Sequence, residues 1–244
     1  MGNRMIVLVI VSLLACLPSS SEPGERSRVV IGSAGDNMPP TLVSSAILAE
    51  AYDKAGYSAE FTVYPPKRMI ASLKMGTIDA IVLAESGLEG EIPGVIRIVT
   101  PVWIDELAVI SKDYRPVRSW DELKGLRVGY LTAMLIIENN VPTGAERFPS
   151  QTVEQLFRML DTDRTDVVVT SRTIAKYMIA RLGLANVRYA GDTLATVNNY
   201  HFVSNRNSEV AVRVSAALAE MERSGRIAEI ARETLERLFG EAER

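Results

Sequence analysis

Residues 63 to 82, VYPPKRMIASLKMGTIDAIV, indicate how this chain folds. Two prolines mark a turn, and the apolar residues Met69 and Leu73 then recur at the spacing of an amphipathic helix. Gly76 follows where the C-terminus of a helix favours a left-handed residue. A short apolar run from Ile78 has the length of a buried strand. The stretch therefore predicts a strand end, a turn, a helix and a second strand in direct succession.

Strands and helices alternate on both sides of this stretch. A predicted helix before it is capped by Thr41 or Ser44 and ends at Gly56. A Gly-rich loop is expected after the strand that Ile78 opens. The other predicted strands of this unit are residues 28–32, 59–64 and 95–99. This order predicts a parallel sheet with helices on both faces.

A second α/β unit is predicted further along the chain. We expect Thr132 to open a helix, Ser150 to cap the helix QTVEQLFRML, and Ser171 to cap a helix that Gly183 closes. The remaining predicted segments are strands at 126–131, 165–170 and 187–189, two crossovers at 101–111 and 199–204, and amphipathic helices at 208–223 and 226–239.

Two motifs in these segments are similar to those of a known family. SLKMGTIDAIV resembles the L-x-x-G-x-x-D-A signature of bacterial periplasmic solute-binding proteins of family 3, and AALAEMERSGRIAEIA resembles their C-terminal signature. The resemblance implies an α/β, two-lobed type II periplasmic binding fold, with two parallel or mixed sheets joined by two hinge crossovers. It places lobe one at residues 28–103 plus 205–244 and lobe two at residues 108–200.

The N-terminus predicts export. Arg4 precedes an apolar run too short to span a bilayer, and Ser, Pro and Gly follow it, as in a signal peptide covering residues 1–21. Two cleavage hypotheses stay open. The sequence LLAC is similar to a bacterial lipobox that would make Cys16 the lipidated first residue, whereas Ser19 and Ser21 suit ordinary cleavage. Both predict a periplasmic protein, anchored to the membrane in the first case.

Composition excludes several functions. A net charge of −3 gives no basic footprint for nucleic acid. Cys16 is the only cysteine and His201 the only histidine, so a zinc cluster lacks its usual ligands, and no G-x-S-x-G motif supplies a nucleophile. We therefore expect no metal, no cofactor, no nucleic-acid partner and no enzymatic activity, and we expect a monomer.

The family resemblance implies a clamp for amino acids that this chain lacks. Relatives carry a Thr and an Arg after the strand that opens on Asp79, and the positions here hold Leu88 and Glu91. They also carry an Asp after the second-lobe strand, where counting from Asp166 gives Ser171. Because an Arg grips a carboxylate through two hydrogen bonds, its loss predicts weak binding of free α-amino acids.

Ligands of this fold lie between the lobes, at loops that follow strands. Arg68 stands in the first turn of its helix, where a positive charge opposes the helix dipole. Arg68 is therefore a candidate anion contact, with a surface salt bridge as the alternative. Arg172, just after the predicted strand at 165–170, is a candidate anion contact for the same reason. Trp103 could stack on a ligand or pack the hinge. The candidate ligand-binding residues are Asp36, Asn37, Arg68, Glu85, Ser86, Trp103, Thr132, Ser171 and Arg172.

The predicted function is capture of a small polar ligand, anionic if Arg68 binds it, for an ABC-type membrane permease. One alternative is a sensory or orphan binding protein that transports nothing. Another is an enzyme similar to cyclohexadienyl dehydratases, for which Glu85 or Asp36 is the candidate acid.

Overall fold

The computed structural model describes residues 26–34, 37–112, 116–132 and 134–242. The predicted signal peptide, Cys16 and Asp36 lie outside these ranges. No helix within them has the length and apolar character needed to cross a membrane.

The first seven elements follow the predicted order closely. They are β1 (Arg28–Ser33), α1 (Pro39–Lys54), β2 (Ser58–Val63), α2 (Pro66–Met75), β3 (Ala80–Glu85), α3 (Leu88–Glu91) and β4 (Val95–Ser111). Gly76 ends α2 with φ of 79°, as predicted, and its N–H donates to the carbonyl of Leu73. The predicted cap of α1 is wrong. That helix begins on two prolines without a side-chain cap, so Thr41 and Ser44 lie inside it.

The remaining elements form the second unit and the C-terminal helices. After a 3-10 helix (Trp120–Leu123) come β5 (Arg127–Leu131), α4 (Leu135–Asn140), β6 (Glu146–Ser150), α5 (Val153–Asp161), β7 (Val167–Ser171), α6 (Arg172–Leu182), β8 (Arg188–Tyr189), β9 (Ala195–Ser204), α7 (Ser208–Arg223) and α8 (Arg226–Ala242). Ser171 caps α6 and Gly183 closes it, as predicted.

Two helix starts in this unit differ from the prediction. Ser150 ends β6, a strand that the sequence analysis missed, and Thr152 caps α5 by accepting a hydrogen bond from the N–H of Gln155 at 3.2 Å. The helix expected at Thr132 begins only at Leu135. The Thr132 hydroxyl instead donates to the carbonyl of Ser150 at 3.1 Å.

The strands form one hydrogen-bonded ladder in the order β2-β1-β3-β9-β4-β7-β5-β6, with β8 beside β4. The two expected sheets are joined because β4 pairs with β9 along most of its length, from Val95 opposite Ser204 to Leu107 opposite Ala195. We call β2, β1 and β3 the first half-sheet and β7, β5 and β6 the second. Strands inside each half-sheet are parallel, and β9 is antiparallel to both of its neighbours.

Helices bury both faces of each half-sheet. The first packs α1, α7 and α8 on one face, through residues such as Ile47 and Leu218, and α2 on the other, through Leu73. The second packs α5 and α6 on one face, and α4 with the 3-10 helix on the other. Two three-layer bodies therefore meet along β4 and β9.

Candidate functional site

Three neighbouring strands bring polar side chains into one row where the half-sheets meet. In the ladder, Glu85 of β3 lies opposite Asn199 of β9, and Asn199 lies opposite Trp103 of β4. Residues paired across strands share a face, and side chains on one strand alternate between faces. Asp105, two residues beyond Trp103, therefore faces the same way. We call Glu85, Trp103, Asp105 and Asn199 the junction cluster.

Asp105 is the most deeply buried acid of this cluster. Its exposed fraction is only 7 %, and burial raises the pKa of its carboxyl group. The nearby side chains of Ser171 and Trp103 favour the charged form and oppose that rise. Oδ1 of Asp105 and Nε1 of Trp103 are nevertheless both buried without a hydrogen-bond partner in the described structure. Native proteins rarely leave such groups unpaired.

Glu85 connects the two half-sheets. Burial raises the pKa of its half-buried carboxyl group, the nearby backbone N–H of Ile136 lowers it, and the negative charge of Asp105 raises it. Since Ile136 belongs to α4, an end of β3 in the first body contacts a helix of the second. Within the described part of the chain, neither Glu85 nor Asp105 forms an ion pair.

Ser171 is fully buried beside Asp105, at the point where β7 becomes α6. Its hydroxyl accepts a hydrogen bond of 3.4 Å from the N–H of Ile174. The structure thus brings three of the sequence-predicted candidates, Glu85, Trp103 and Ser171, to one junction.

Arg172 lies next to this junction, and its guanidinium group is in contact with other side chains, although its buried Nε atom has no hydrogen-bond partner in the described structure. Nε is 3.4 Å from Oε2 of Glu106, and Nη2 donates to the hydroxyl of Thr193 at 3.4 Å. The guanidinium carbon also stands 4.7 Å from the ring centre of Tyr189. A ligand would have to share this cation with the Glu106 carboxylate.

The other candidates are more dispersed. Arg68 is exposed, with its guanidinium 5.8 Å from the ring centre of Tyr64, and Ser86 is exposed after β3. Asn37 is exposed with φ of 45°, and the next residue, Met38, packs into the core of the second body. The Thr132 hydroxyl donates to the carbonyl of Ser150, as described above.

Sequence reasoning missed Asp105 and Asn199. A signal for Asp105 was present, because two acids, Asp105 and Glu106, interrupt the otherwise apolar segment from Val102 to Ile110. An acid that becomes buried needs either a partner or a function. Asn199 offered only a weak signal, since its importance comes from its position between Glu85 and Trp103 in the ladder.

No protein-family model matches the sequence, and no curated protein matches it. Solved structures do match. The ligand-binding core of GluR0 in complex with L-glutamate has a TM-score of 0.77 and 14% identity, over 87% of this chain and 100% of that one. A histidine kinase sensor domain with similarity to periplasmic binding proteins has a TM-score of 0.75 and 20% identity, over 86% and 97%.

A mutant of the arginine-binding protein ArgBP from T. maritima has a TM-score of 0.72 and 17% identity, over 86% of this chain and 96% of that one. At such identities the likeness shows the fold. It confirms the two-lobed α/β architecture predicted from the sequence, and at the level of fold it confirms the resemblance to solute-binding proteins.

Proposed function

We propose that this chain, with its type II periplasmic binding fold, is a solute-binding protein that closes on a small polar ligand and releases it unchanged. The observation that supports this most strongly is the junction cluster. Its buried polar atoms include two that have no partner in the described structure, and they lie between two bodies that could move relative to each other. Buried polar groups of this kind are normally paired, so a ligand that supplies the missing bonds would gain free energy.

The proposed lobes are residues 28–103 plus 205–244 and residues 108–200, with the middle of β4 and β9 as the hinge. The pairing of these strands supports that location. Register shifts interrupt the β4–β9 ladder between Arg97 and Pro101 and again between Pro101 and Trp103. Irregular pairing leaves fewer backbone hydrogen bonds to resist bending, and hinge closure needs only a few such residues.

The ligand is proposed to differ from a free α-amino acid. Glu91 is exposed on α3, and Ser171 is engaged as a helix cap. Neither provides the Arg or Asp of the amino-acid clamp. The sequence-based hypothesis of an anion bound at Arg68 also stays a prediction, and Arg68→Ala tests it against Lys67→Ala. If Arg68 holds an anion, only its loss weakens binding, by roughly ten- to a hundredfold.

The partner is proposed to be a membrane permease, for which the protein would work in the periplasm after loss of residues 1–21 or cleavage before Cys16. A second candidate is a sensory protein, supported by the likeness to the histidine kinase sensor domain. Pull-down with the tagged, liganded protein separates the two: we expect recovery of a permease subunit, and recovery of a signalling protein instead would favour the sensor.

A ligand screen tests binding itself. We expect at least one small polar metabolite to raise the melting temperature of the full chain, because a ligand at a hundred times its Kd stabilises the folded state by about 2.7 kcal/mol. The same compound should reduce the radius of gyration in X-ray scattering as the lobes close.

Trp103→Phe and Trp120→Phe form a matched pair for this screen. The first removes the junction indole and should weaken the effect, whereas the second changes a tryptophan of the 3-10 helix and should leave it intact. If no compound in a broad metabolite screen raises the melting temperature, or if binding leaves the radius of gyration unchanged, the proposed function is wrong.

A further inference from the structure

The charge of the junction cluster identifies the class of ligand that it can accept. Glu85 and Asp105 are both acids and both are at least half-buried. The negative charge of Asp105 raises the pKa of Glu85. Taking carboxylates out of water is costly unless a positive group compensates them. Within the described residues, no Lys or Arg forms an ion pair with either of them.

The next residue along β4 shows how this chain treats a carboxylate that is already paired. Glu106 lies on the opposite face of the strand and pairs with Arg172 at 3.4 Å. A basic residue is therefore available close by, yet its charge is paired with Glu106 rather than with Asp105. Nε of Arg172 and Oδ1 of Asp105 are both buried without a hydrogen-bond partner among the described residues. The buried side of the junction has a deficit of positive charge that its surroundings do not fill.

Trp103, whose side chain lies near Asp105, adds a second observation. Its indole Nε1 is buried without a partner, and its side chain shares a face with Asp105. The face of an indole ring attracts cations, most strongly when they are desolvated. An anionic ligand would gain the indole N–H but would meet two carboxylates, whereas a cationic ligand would gain both carboxylates and the ring.

A metal ion fits this site poorly. Within the described residues, no group of three or more His, Cys, Asp or Glu side chains is placed to hold one. Two carboxylates with an aromatic ring instead match an organic cation, whose N–H groups can donate to both acids at once.

We infer, building on the proposed binding function, that the ligand carries an ammonium or guanidinium group held by Asp105 and Glu85 against Trp103. Asp105 provides the buried acceptor on the hinge strand. Glu85 provides the acceptor at the end of β3, near the backbone N–H of Ile136. Because the charge of Asp105 disfavours the charged form of Glu85, a cation bound by both acids would offset the repulsion between them.

The fluorescence of Trp103 gives a direct test. Trp103 and Trp120 are the only tryptophans, so Trp120→Phe leaves Trp103 as the only indole reporter in the full chain. This variant is titrated with methylguanidinium chloride and methylammonium chloride at constant ionic strength. Sodium chloride, sodium acetate and sodium phosphate serve as controls. We expect a saturable change with at least one organic cation and none with the sodium salts.

Charge variants then locate the site. Asp105→Asn should weaken the cation response about ten- to a hundredfold, the effect of losing one charge-assisted hydrogen bond, and Glu85→Gln should weaken it too. Glu106→Gln changes the same charge one residue away, on the opposite face, and should have no effect. Circular dichroism confirms that each variant is folded.

Three results would overturn the inference: a response to acetate or phosphate alone, no saturable response to either cation, or an unchanged cation response in folded Asp105→Asn. The proposed function fails separately. A neutral or anionic metabolite that closes the lobes in the scattering experiment would leave binding intact while refuting a cationic ligand.

Discussion

Two buried polar pairs lie close to the same two central strands, and they differ in how completely they are bonded. His201 of β9 and Tyr52 of α1 lie inside the first body. Nδ1 of His201 is 2.7 Å from the carbonyl of Ile81, and Nε2 is 2.9 Å from the hydroxyl of Tyr52. Because a carbonyl only accepts, Nδ1 donates to it and Nε2 accepts from Tyr52. Asp105 and Trp103, in contrast, each keep a buried atom without a partner.

If the proposed function is right, this difference separates a structural polar pair from a ligand-binding one. A fully bonded pair in a low-dielectric core stabilises one arrangement of the chain. A pair with unsatisfied hydrogen-bonding atoms slightly destabilises the unliganded protein, and a ligand that bonds to those atoms gains binding free energy. Three predictions test this contrast, from the largest expected effect to the smallest.

The largest effect is expected when the bonded pair is broken. His201→Ala leaves a cavity in the core, an unpaired carbonyl at Ile81 and an unpaired hydroxyl at Tyr52. We expect a loss of about 3–5 kcal/mol in the free energy of unfolding, measured by urea denaturation. Tyr52→Phe keeps the ring and orphans only one nitrogen, so it should cost about 1–3 kcal/mol. If His201→Ala costs no more than an ordinary surface change, the pair is not structural.

The second effect is acid destabilisation through His201. Burial disfavours the charged ring and lowers the pKa of His201 to about 4, against the contrary effect of the carbonyls of Ile81 and Val82. The unfolded chain, whose histidine has a pKa of about 6.5, binds the proton first as the pH falls. Stability from this group is therefore complete above about pH 6.5 and is lost between there and about pH 4, by about 3 kcal/mol.

Unfolding of the wild type and of His201→Gln, followed in urea at a series of pH values, measures this contribution. The carboxylates contribute equally to both proteins, so the difference between the curves isolates the histidine. We expect the wild type to lose its advantage as the pH falls through that window. Parallel curves would mean that His201 titrates in the folded state as it does in the unfolded chain.

The smallest effect has the opposite sign. Burial raises the pKa of Asp105, so its charged form destabilises the folded protein at neutral pH. Asp105→Asn removes that charge and should modestly raise the midpoint of urea unfolding at pH 7. The advantage should shrink as the pH falls through the raised pKa of Asp105, where the wild-type carboxyl takes up its own proton. A less stable Asp105→Asn protein would show that the carboxylate is paired after all.

Local patterns predicted most of the fold. The helix that ends at Gly76, the cap at Ser171 and the bounds of α7 rest on short-range rules and agree with the structure. The missed strand β6 has a charged and Pro-containing sequence, ERFPS, which a central strand would not tolerate. It lies at the edge of the ladder, where a proline costs no sheet hydrogen bond.

The long strand β4 covers both the predicted strand at 95–99 and the predicted crossover at 101–111. In the structure the proline lies between two register shifts, where the ladder is already irregular, so the strand continues past it. The sequence predicts Ser150 as the cap of α5 because Ser150 precedes the apolar pattern of that helix. Thr152 stands two residues closer to the helix and makes the cap.

The site was harder to predict because it is assembled from distant segments. Glu85, Trp103 and Ser171 were identified because each follows or lies in a predicted strand. The importance of Asp105 depends on its burial, and the contact between Glu85 and Ile136 joins segments about fifty residues apart. The partners of Arg172 could not be predicted from the sequence either, because no short-range rule relates Arg172 to Thr193.

The path of the chain through β4 and β9 also sets an order for folding during synthesis. The second body is one uninterrupted segment whose ends already pair, with Leu107 opposite Ala195. The core of the first body needs Val214 and Leu218 of α7 and Ile230 of α8, which the ribosome makes last. Until they emerge, the part of α1 that packs against α7 and α8 is uncovered. The second body can therefore fold early, whereas the first must wait for its final helices, as expected for contacts between distant parts of a chain.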